Sequence, residues 1–500
     1  MAKSLPNTFL ISLVHLNRQS SAPLYRQLCD SLRTAILTGQ LEPGVCLPSS
    51  RDMAETLAVS RNTVLNAFDL LIAEGYLEPR EGSGTYVSAR LHEKPAPPKG
   101  DQAAEVADRK LAARADRYRR IAQRGVANGN VPNGAPKLDT PFMVGLPDLG
   151  AFPAKLWAQL TAQHARALSP RHFAAQPQGG YRPLQEVIAA YLNSARALRC
   201  APEQIIITAG AQGALRLALD VLLDEGDPVW MECPGYMSAV AAIYAAGGRL
   251  VSVPVDWEGI DVEIGARLAS EARLAYVTPS HQFPTGVTMS LDRRFKLLQW
   301  AERTGGWIIE DDYDSEYRYS GPPLAALQGL DSGGHVLYIG TFSKVLFPSL
   351  RLGYLVVPAD LIDVFHAARW TADQHPPLLQ QIVVADFMIE GHFTRHIRRM
   401  RAHYMEKRNA LITAADDLLG DRLSFEATDA GLHVTGWLPD GVSDTEASDR
   451  AREHGIAALP VSRLSLEPSS RPGLVLGFGN VPLEAIRPGI EKLTEALAHI

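Results

Sequence analysis

Apolar runs alternate with stretches of helical periodicity over the C-terminal part of the chain. The runs are QIIITAG (204–210), DPVWMEC (227–233), RLAYVTP (273–279), GWIIEDD (306–312) and HVLYIGTFS (335–343). Between them, residues 211–223 and 293–303 place apolar side chains at helical spacing. Short and almost wholly apolar runs are typical of strands buried on both faces. The alternation predicts a mainly parallel sheet that is covered by helices.

The first 90 residues contain three short helical periodicities close together. Helices are predicted over 24–38, from a cap at Ser49 or Ser50, and from about Arg61 after a tight turn at 58–60. Their inward apolar positions are Leu28, Leu32, Ile36, Met53, Ala54, Leu57, Val64, Ala67, Phe68 and Leu71. The last two helices predict a helix-turn-helix, whose second helix is shaped to enter a major groove.

Polar residues next to this motif suit contact with DNA. The first turn of the third helix presents Arg61, Asn62 and Thr63, which can reach guanine, adenine or phosphate oxygens. Two stretches in which apolar and polar residues alternate follow, at 76–78 and 85–87, with a Gly-rich turn at 81–84 between them. This pattern predicts a two-stranded β-wing.

A change of composition divides the chain into domains. We predict a winged helix-turn-helix at 1–90, a linker at 91–135, and a cofactor-binding and dimerisation domain at 136–500. The Pro- and Lys-rich start of the linker cannot bury apolar surface. Residues 105–124 are rich in Ala and Arg at helical spacing. A solvated helical segment is the favoured interpretation of that stretch, and a DNA-backbone contact or a dimer tether is the alternative.

Composition describes an ordinary globular protein, because 46% of the 500 residues are hydrophobic and 21% are charged. The net charge of −6 does not suggest a protein that coats nucleic acid. Residues 1–90 hold eight basic and eight acidic side chains, so DNA affinity must come from the placement of Arg51, Arg61 and Arg80 and from a second copy in a dimer.

The cysteines indicate a reducing compartment. Cys29, Cys46, Cys200 and Cys233 form no C-x-x-C pair, so we predict neither a disulfide framework nor a metal site. The early apolar run at 9–16 is interrupted by polar residues and lacks the length of a signal peptide or a spanning helix. We therefore expect a cytoplasmic protein with no membrane partner.

The segment GTFSKVLFPSLRLGY combines a lysine with groups that bind phosphate. Lys344 follows a strand in a hydroxyl-rich turn, where Thr341 and Ser343 can donate to phosphate oxygens. Arg351 lies seven residues further on and can neutralise the same phosphate. A lysine that forms an imine beside a phosphate anchor is the chemistry that pyridoxal 5'-phosphate (PLP) requires.

Other groups that PLP needs follow the remaining strands. The acids of EDDYDSEYRY stand at the end of a strand, where Asp311 is our choice for the ring nitrogen and Tyr313 for the phenolic oxygen. The strand-to-helix turn ITAGAQGAL predicts a phosphate cradle at Ala211 and Gln212. In ECPGYMSA, Tyr236 is placed to stack on the ring.

The N-terminal domain resembles the winged helix-turn-helix of GntR-type transcription regulators. The stretches that carry the resemblance are PLYRQL, GQLEPGVCLPSSRDMAETLAVSRNTV and EGYLEPREGSGTYV. By position, it implies contacts to double-stranded operator DNA from Arg51, Ser60, Arg61, Asn62 and Thr63, with Gly82 and Gly84 letting the wing approach the minor groove.

Residues 140–500 resemble a fold-type I aminotransferase with a small C-terminal α/β subdomain. With the N-terminal domain, TPSHQFPTG, EDDYDSEYRY and TFSKVLFPSLRLGY resemble the MocR subfamily of GntR regulators. That resemblance implies a homodimer, often domain-swapped, with PLP as an aldimine on Lys344. It further implies that an amino compound or PLP is the effector that alters operator binding.

The chain departs from ordinary aminotransferases at the cofactor ring. Phe283 stands where they carry an asparagine that holds the phenolic oxygen, unless His281 or Gln282 replaces it. The tyrosine that reaches the phosphate from a neighbouring subunit has no evident counterpart. An arginine that clamps a carboxylate should lie near the C-terminus, where Arg463 is our candidate for effector binding and Arg471 a weaker one.

Three functions remain open at this point. The favoured one is a PLP-dependent transcription regulator that senses an effector at Lys344. The second is an active aminotransferase with an accessory DNA-binding module, against which the missing asparagine and tyrosine count. The third is a binding protein with a vestigial cofactor site, against which the presence of Lys344, Asp311 and Arg351 together counts.

Overall fold

A computed structural model describes residues 14–80, 83–89, 111–127 and 139–498, with gaps at 15, 19, 113, 175–176, 178, 322–323, 427 and 468–470. The chain divides into two compact units, residues 1–110 and 111–500. Among the described helices, none has the length and the apolar character that a membrane span requires.

The N-terminal unit contains three helices and one β-ribbon. Its elements are α1 Leu24–Leu37, α2 Ser50–Thr56, α3 Arg61–Ala73, β1 Leu77–Arg80 and β2 Gly84–Val87. The Ser49 side chain caps α2 by accepting a hydrogen bond from the backbone of Asp52 at 3.2 Å. The predicted apolar positions are buried between the helices, except that Leu57 is partly buried. The helix-turn-helix and the wing are therefore as predicted.

The C-terminal unit consists of helices around two sheets. The helices are α4 Arg114–Ala127, α5 Ala154–Ala167, α6 Arg182–Ala195, α7 Ala211–Leu222, α8 Met237–Ala246, α9 Val262–Leu268, α10 Leu291–Thr304, α11 Leu327–Leu330, α12 Ile362–Ala372, α13 Leu378–Ile389, α14 His392–Leu418, α15 Asp444–Glu453 and α16 Leu483–Ala496. The strands are β3 Ile205–Thr208, β4 Pro228–Cys233, β5 Arg249–Asp256, β6 Gly259–Ile260, β7 Leu274–Val277, β8 Trp307–Asp312, β9 Val336–Thr341, β10 Gly353–Val356, β11 Ser424–Phe425, β12 His433–Trp437, β13 Leu459–Pro460 and β14 Gly473–Gly477.

The larger sheet has eight strands in the order β3-β10-β9-β8-β7-β4-β5-β6. The strands from β9 to β5 in that order are parallel, whereas β10 and β6 run antiparallel to their neighbours. Helices α7 and α8 cover one face, and α6, α13 and α10 cover the other. The mainly parallel sheet is confirmed, and the carboxyl ends of β7, β8 and β9 meet at one edge.

The smaller sheet is antiparallel, with the order β11-β12-β14-β13. Helices α14 and α16 pack on it around a buried cluster that includes Tyr404, Leu411, Leu476, Phe478 and Ile490. This is the small C-terminal subdomain that the resemblance implies.

Candidate DNA-binding helix and cofactor site

The exposed start of α3 carries the side chains predicted to contact DNA. Ser60 caps the helix, since its hydroxyl oxygen accepts from the backbone of Thr63 at 3.1 Å and lies 2.8 Å from the Thr63 hydroxyl. Arg61 and Asn62 are exposed in the first turn, and Arg61 Nε donates to Ser50 Oγ at 3.2 Å. Ser60 and Thr63 therefore also shape the helix start. Arg51 is exposed on α2.

The arginine of the wing contacts two neighbouring side chains. Arg80 forms an ion pair with Glu78 at 2.6 Å, and its guanidinium carbon lies 4.4 Å from the centre of the Tyr86 ring. Gly84 has a φ of +109°, which side-chain-bearing residues rarely adopt. Gly82 lies outside the described residues.

A cavity of about 590 Å³ opens at the carboxyl edge of the larger sheet and contains most of the predicted cofactor residues. Those that line it are Ala211, Gln212, Tyr236, Asp311, Tyr313, Thr341, Ser343, Lys344 and Arg351. Open parallel sheets bind ligands at this edge, because helix N-termini and loops converge there. Residues far apart in the chain are therefore brought together.

Lys344 is the buried amine of this cavity. Its Nζ donates to the carbonyl of Gly145 at 2.7 Å. Burial lowers the pKa of Lys344, and the nearby carboxylates of Asp314 and Asp311 act in the opposite direction. A lowered pKa increases the fraction of neutral amine, which is the form that attacks an aldehyde.

Asp311 faces the cavity from the end of β8. Its Oδ2 accepts from the Tyr276 hydroxyl at 2.5 Å, while its Oδ1 is buried without a hydrogen-bond partner among the described residues. Burial raises the pKa of Asp311 to about 6. An unpaired buried carboxylate oxygen at a cavity wall can accept a hydrogen bond from a ligand, and the protonated ring nitrogen of PLP is a suitable donor. This oxygen shows that the site fits the cofactor.

The neighbouring acids of β8 serve the opposite face of the sheet. Glu310 accepts from the backbones of Leu327 and Gln328, each at 2.9 Å. Asp312 forms a buried ion pair with Arg196 at 2.8 Å. Because side chains alternate along a strand, Asp311 alone of these three reaches the cavity.

Tyr313 stands in front of His281 at the cavity wall. The Tyr313 hydroxyl lies 3.0 Å from His281 Nδ1, and the same nitrogen lies 3.1 Å from Asp314 Oδ1. His281 is buried and is absent from the cavity lining, whereas Phe283 lines it. His281 therefore contacts a residue of the cavity wall, Tyr313, without lining the cavity itself. Gln282 turns away and donates to the Pro234 and Phe283 carbonyls at 2.9 and 2.6 Å.

One group of buried side chains resembles a metal site. The ligand atoms of His281, Asp314 and His433 lie within 4.8 Å of one another, and no other such group occurs in the part of the chain that the structure describes. His281 and Asp314 hydrogen-bond to each other, and His433 Nε2 lies 3.2 Å from the Pro284 carbonyl oxygen. His281 therefore links Asp314 to Tyr313, whereas His433 contacts the carbonyl of Pro284.

The candidate phosphate end of the cavity lies between α7 and the turn after β9. Gly210 is the N-cap of α7, and the amides of Ala211 and Gln212 begin the helix beside it. A Cβ on Gly210 would lie 3.5 Å from the Arg351 guanidinium carbon, so the arginine stands next to the helix N-terminus. Free amides, hydroxyls and a guanidinium together make an anion site.

Tyr236 covers the cavity from the start of α8. The residue is 37% exposed, and its ring meets that of Phe283 edge to face, at 5.9 Å between ring centres. This places an aromatic face where the sequence predicts stacking on the cofactor ring.

The two arginines predicted near the C-terminus are engaged elsewhere. Arg463 lies 3.5 Å from Asp449, and Arg471 pairs with Glu426 at 2.5 Å and lies over the Trp437 ring. Neither is among the described side chains that line the cavity. Effector binding by Arg463 stays a prediction.

Several residues of the cavity were not anticipated from the sequence. They are Gly145, Tyr276, Asp314, His433 and Arg120. Tyr276 could have been found, because its strand motif RLAYVTP ends beside that of Asp311 and both residues lie on the face covered by α7. Gly145 and Arg120 approach the cavity from segments outside the strands, where no pattern signals a neighbour.

Gly145→Ala tests how closely the chain surrounds Lys344. Gly145 has a φ of +83°, and an added Cβ would lie 2.7 Å from Lys344 Nζ. We expect the variant to lose at least tenfold in PLP affinity, since the clash displaces the amine. Gly226→Ala is the control, because it shares a positive φ of +94° but has nothing within 4 Å. Equal PLP affinity in both variants, measured by absorption titration, would show that the contact is unimportant.

Both units match known families. The profile of the gntR family of bacterial regulatory proteins matches residues 24–87, and that of aminotransferase class I and II matches 145–473. The chain is 39% identical to the probable rhizopine catabolism regulatory protein MocR of Rhizobium meliloti, over 96% of this chain and 95% of that protein. It is 32% identical to the transcriptional regulator TauR of Rhodobacter capsulatus, over 95% and 96%.

Solved structures agree with the C-terminal match. The α-aminoadipate aminotransferase of Thermus thermophilus, complexed with N-(5'-phosphopyridoxyl)-L-leucine, is 29% identical with a TM-score of 0.68, over 78% of this chain and 97% of that one. The kynurenine aminotransferase of Pyrococcus horikoshii is 26% identical with a TM-score of 0.67, over 78% and 95%.

The winged helix binds DNA, and the cofactor of the aminotransferase-like domain is PLP. The matches extend over both domains in one chain, in the same order as the sequence predicts. The chain therefore belongs to the MocR subfamily of GntR-type transcription regulators.

Proposed function

We propose that this regulator is a cytoplasmic homodimer whose operator affinity changes when a primary amine competes with Lys344 for the aldehyde of PLP. The observation that carries the proposal is the pairing, in one cavity, of the buried Lys344 amine with the unpaired Oδ1 of Asp311. The bound group supplies an aldehyde that reacts reversibly with amines. Residues of the chain hold the phosphate and the ring of PLP, and they also bind the competing amine.

The side chains of the cavity wall favour a sensor over an active aminotransferase. Tyr313 is the polar side chain of the cavity wall that is predicted to meet the phenolic oxygen of PLP. The side chain next to it in the wall, Phe283, is apolar. The Phe283 ring centre lies 6.3 Å from that of Tyr313 and 5.3 Å from that of His433. A wall with fewer polar groups at the ring supports binding more than rapid turnover.

A dimer is proposed because one DNA-binding domain offers few positive charges. Residues 1–90 are neutral overall, and phosphate contacts supply most of the affinity of DNA-binding domains. Two copies related by a two-fold axis double these contacts and read two half-sites.

The effector class is proposed as an amino compound, with PLP itself as the alternative. An amine would use the space of the cavity beyond Lys344, whereas PLP sensing would depend only on filling the cofactor site. Titration of the PLP-free protein with PLP, and of the PLP-loaded protein with amines, separates the two.

Operator binding tests the proposal. The operator is selected from a random duplex library, and its affinity is measured without PLP, with PLP, and with PLP plus a panel of primary amines. We expect at least a fivefold change in affinity with one of these additions, and dimers by sedimentation. Unchanged operator affinity under all conditions would refute sensing, and amino-acid turnover at ordinary enzyme rates would favour the aminotransferase alternative.

Arg61→Ala separates DNA reading from cofactor chemistry. Arg61 is exposed at the start of α3, so its loss should weaken operator binding about tenfold or more. The PLP spectrum should stay unchanged. Arg26→Ala, which removes an exposed arginine of α1, is the matched control for net charge. Equal losses in the two variants would show a general charge effect without a specific contact.

A further inference from the structure

The helix α4 of the predicted linker packs on the aminotransferase-like domain. Arg117 forms an ion pair with Glu225, and its Nη1 would lie 2.7 Å from a Cβ on Gly247. Gly247 ends α8, so the guanidinium stands at the carboxyl end of that helix, where a cation is stabilised by the helix dipole. These contacts place α4 beside α8.

The next turn of α4 reaches the cofactor cavity. Arg120 and Ile121 line the same cavity as Lys344 and Tyr236. Arg120 is exposed, and its Nη1 donates to the Tyr244 hydroxyl at 3.4 Å, which is a long hydrogen bond. Within the described ranges, no carboxylate forms an ion pair with Arg120. A guanidinium at a cavity mouth without an acidic partner is suited to bind an anion from solution.

The other basic groups of the cavity have different tasks. Lys344 reacts with the cofactor, and Arg351 stands beside the phosphate cradle of α7. Burial lowers the pKa of His433 well below its ordinary value, so His433 is neutral. Arg463 and Arg471 are near or paired with carboxylates outside the cavity. Among the described lining residues, Arg120 is the cation left for the effector.

We propose that Arg120 binds the acid group of an amino-acid effector whose amine competes with Lys344. The effector class is a primary amine that carries a carboxylate or a sulfonate. This inference rests on the proposed function and deepens it, because it names the group that distinguishes an amino acid from a simple amine. It also assigns a role in recognition to the linker.

The position of Arg120 connects effector binding to the rest of the regulator. Helix α4 lies in the segment that joins the two domains along the chain. An effector held at both ends contacts the aminotransferase-like domain through Lys344 and the linker through Arg120. Binding then stabilises the docked position of α4 over any undocked one, which is the differential interaction that a ligand-driven change requires.

The probes are ω-amino acids of two to five carbons and the n-alkylamines that match them in length. Binding to the PLP-loaded protein is measured by the shift of the visible absorption band. We expect at least one amino acid to bind tenfold more tightly than its alkylamine. Arg120→Gln should remove roughly ten- to a hundredfold of that affinity, since a charge-assisted hydrogen bond is lost, and should leave the alkylamines unchanged. Arg120→Lys should retain part of the affinity.

Arg119→Gln is the matched control, because Arg119 is one position away on α4, is exposed and pairs with Asp116 at 3.1 Å. It should bind all probes as the wild type does. If Arg120→Gln binds the amino acids normally, or if Arg463→Gln alone weakens them, the Arg120 proposal is overturned and amine sensing stands. If the PLP-loaded wild type responds to no amine, amine sensing itself fails and the Arg120 proposal fails with it.

Discussion

Lys344→Ala should abolish the covalent retention of PLP. Lys344 is the only lysine among the described residues that line the cavity, and its amine is held by the Gly145 carbonyl at 2.7 Å. After borohydride treatment, we expect the wild type to keep about one cofactor per chain through denaturation and the variant to keep none. Mass spectrometry of the denatured protein measures the difference. The same variant should bind operator without any response to amines.

Lys296→Ala controls for the loss of a lysine elsewhere. Lys296 is exposed on α10, where it pairs with Asp292 at 3.2 Å and Glu263 at 3.4 Å. It should retain the cofactor as the wild type does. Covalent cofactor on Lys344→Ala at the wild-type level would mean that another amine forms the link, and the site would then have been assigned wrongly. If amines still change the operator affinity of Lys344→Ala, amine sensing does not depend on this lysine.

The strands could be predicted from the sequence because they are buried on both faces. A strand such as Ile205–Thr208 or Leu274–Val277 has no exposed side chain, so its composition alone marks it. The N-terminal helices were predicted for a related reason. Val64, Ala67, Phe68 and Leu71 form one buried stripe at helical spacing.

The order of the strands could not be predicted in the same way. Strand β10 lies between β3 and β9 although almost 150 residues separate it from β3. Such neighbours are set by long-range packing, which leaves no local pattern. Tyr276 and Asp311 lie on the adjacent strands β7 and β8, so their contact was within reach of the sequence, but it was not predicted. The cofactor residues in the turn after β9 were easier to predict, because Thr341, Ser343 and Lys344 are close together in the sequence.

The linker shows the limit of composition as a guide. Its Ala- and Arg-rich stretch was interpreted as a solvated helix, and a helix is present at Arg114–Ala127. Most of its described side chains are exposed, yet Arg117 and Ile121 are partly buried against the aminotransferase-like domain. A few partly buried residues among many exposed arginines produce no apolar stripe that would mark the buried face of the helix. Spacing therefore predicted the helix but not its position over the cavity.

Asp311→Asn should weaken PLP binding and stabilise the cofactor-free protein. The ring nitrogen loses a buried carboxylate partner, which costs about 2–5 kcal/mol in comparable pairs, so the dissociation constant should rise at least thirtyfold. The cofactor-free protein should gain stability because its folded state no longer has to keep a buried carboxylate ionised. Tyr276 can still donate to the asparagine oxygen, as it does to Oδ2 of Asp311 at 2.5 Å.

The gain in stability should depend on pH in a defined direction. Burial raises the pKa of Asp311 from 3.8 to about 6, so the folded state holds the proton to higher pH than the unfolded state does. The wild type therefore loses stability as pH rises from about 4 to 6 and loses no more from this group above that window. Two pKa units correspond to about 3 kcal/mol, the most that Asp311→Asn can gain at pH 8. At pH 4 the gain should be close to zero.

Denaturant unfolding of cofactor-free protein at pH 4 and pH 8 measures this difference, with Asp312→Asn as the matched control. Asp312 is adjacent on the other face and forms a buried ion pair with Arg196 at 2.8 Å. Its replacement leaves the arginine unpaired and should reduce stability at pH 8, opposite in sign to Asp311→Asn. If Asp311→Asn is also destabilising at pH 8, the Asp311 carboxylate stabilises the folded protein, and its unpaired Oδ1 does not serve cofactor binding.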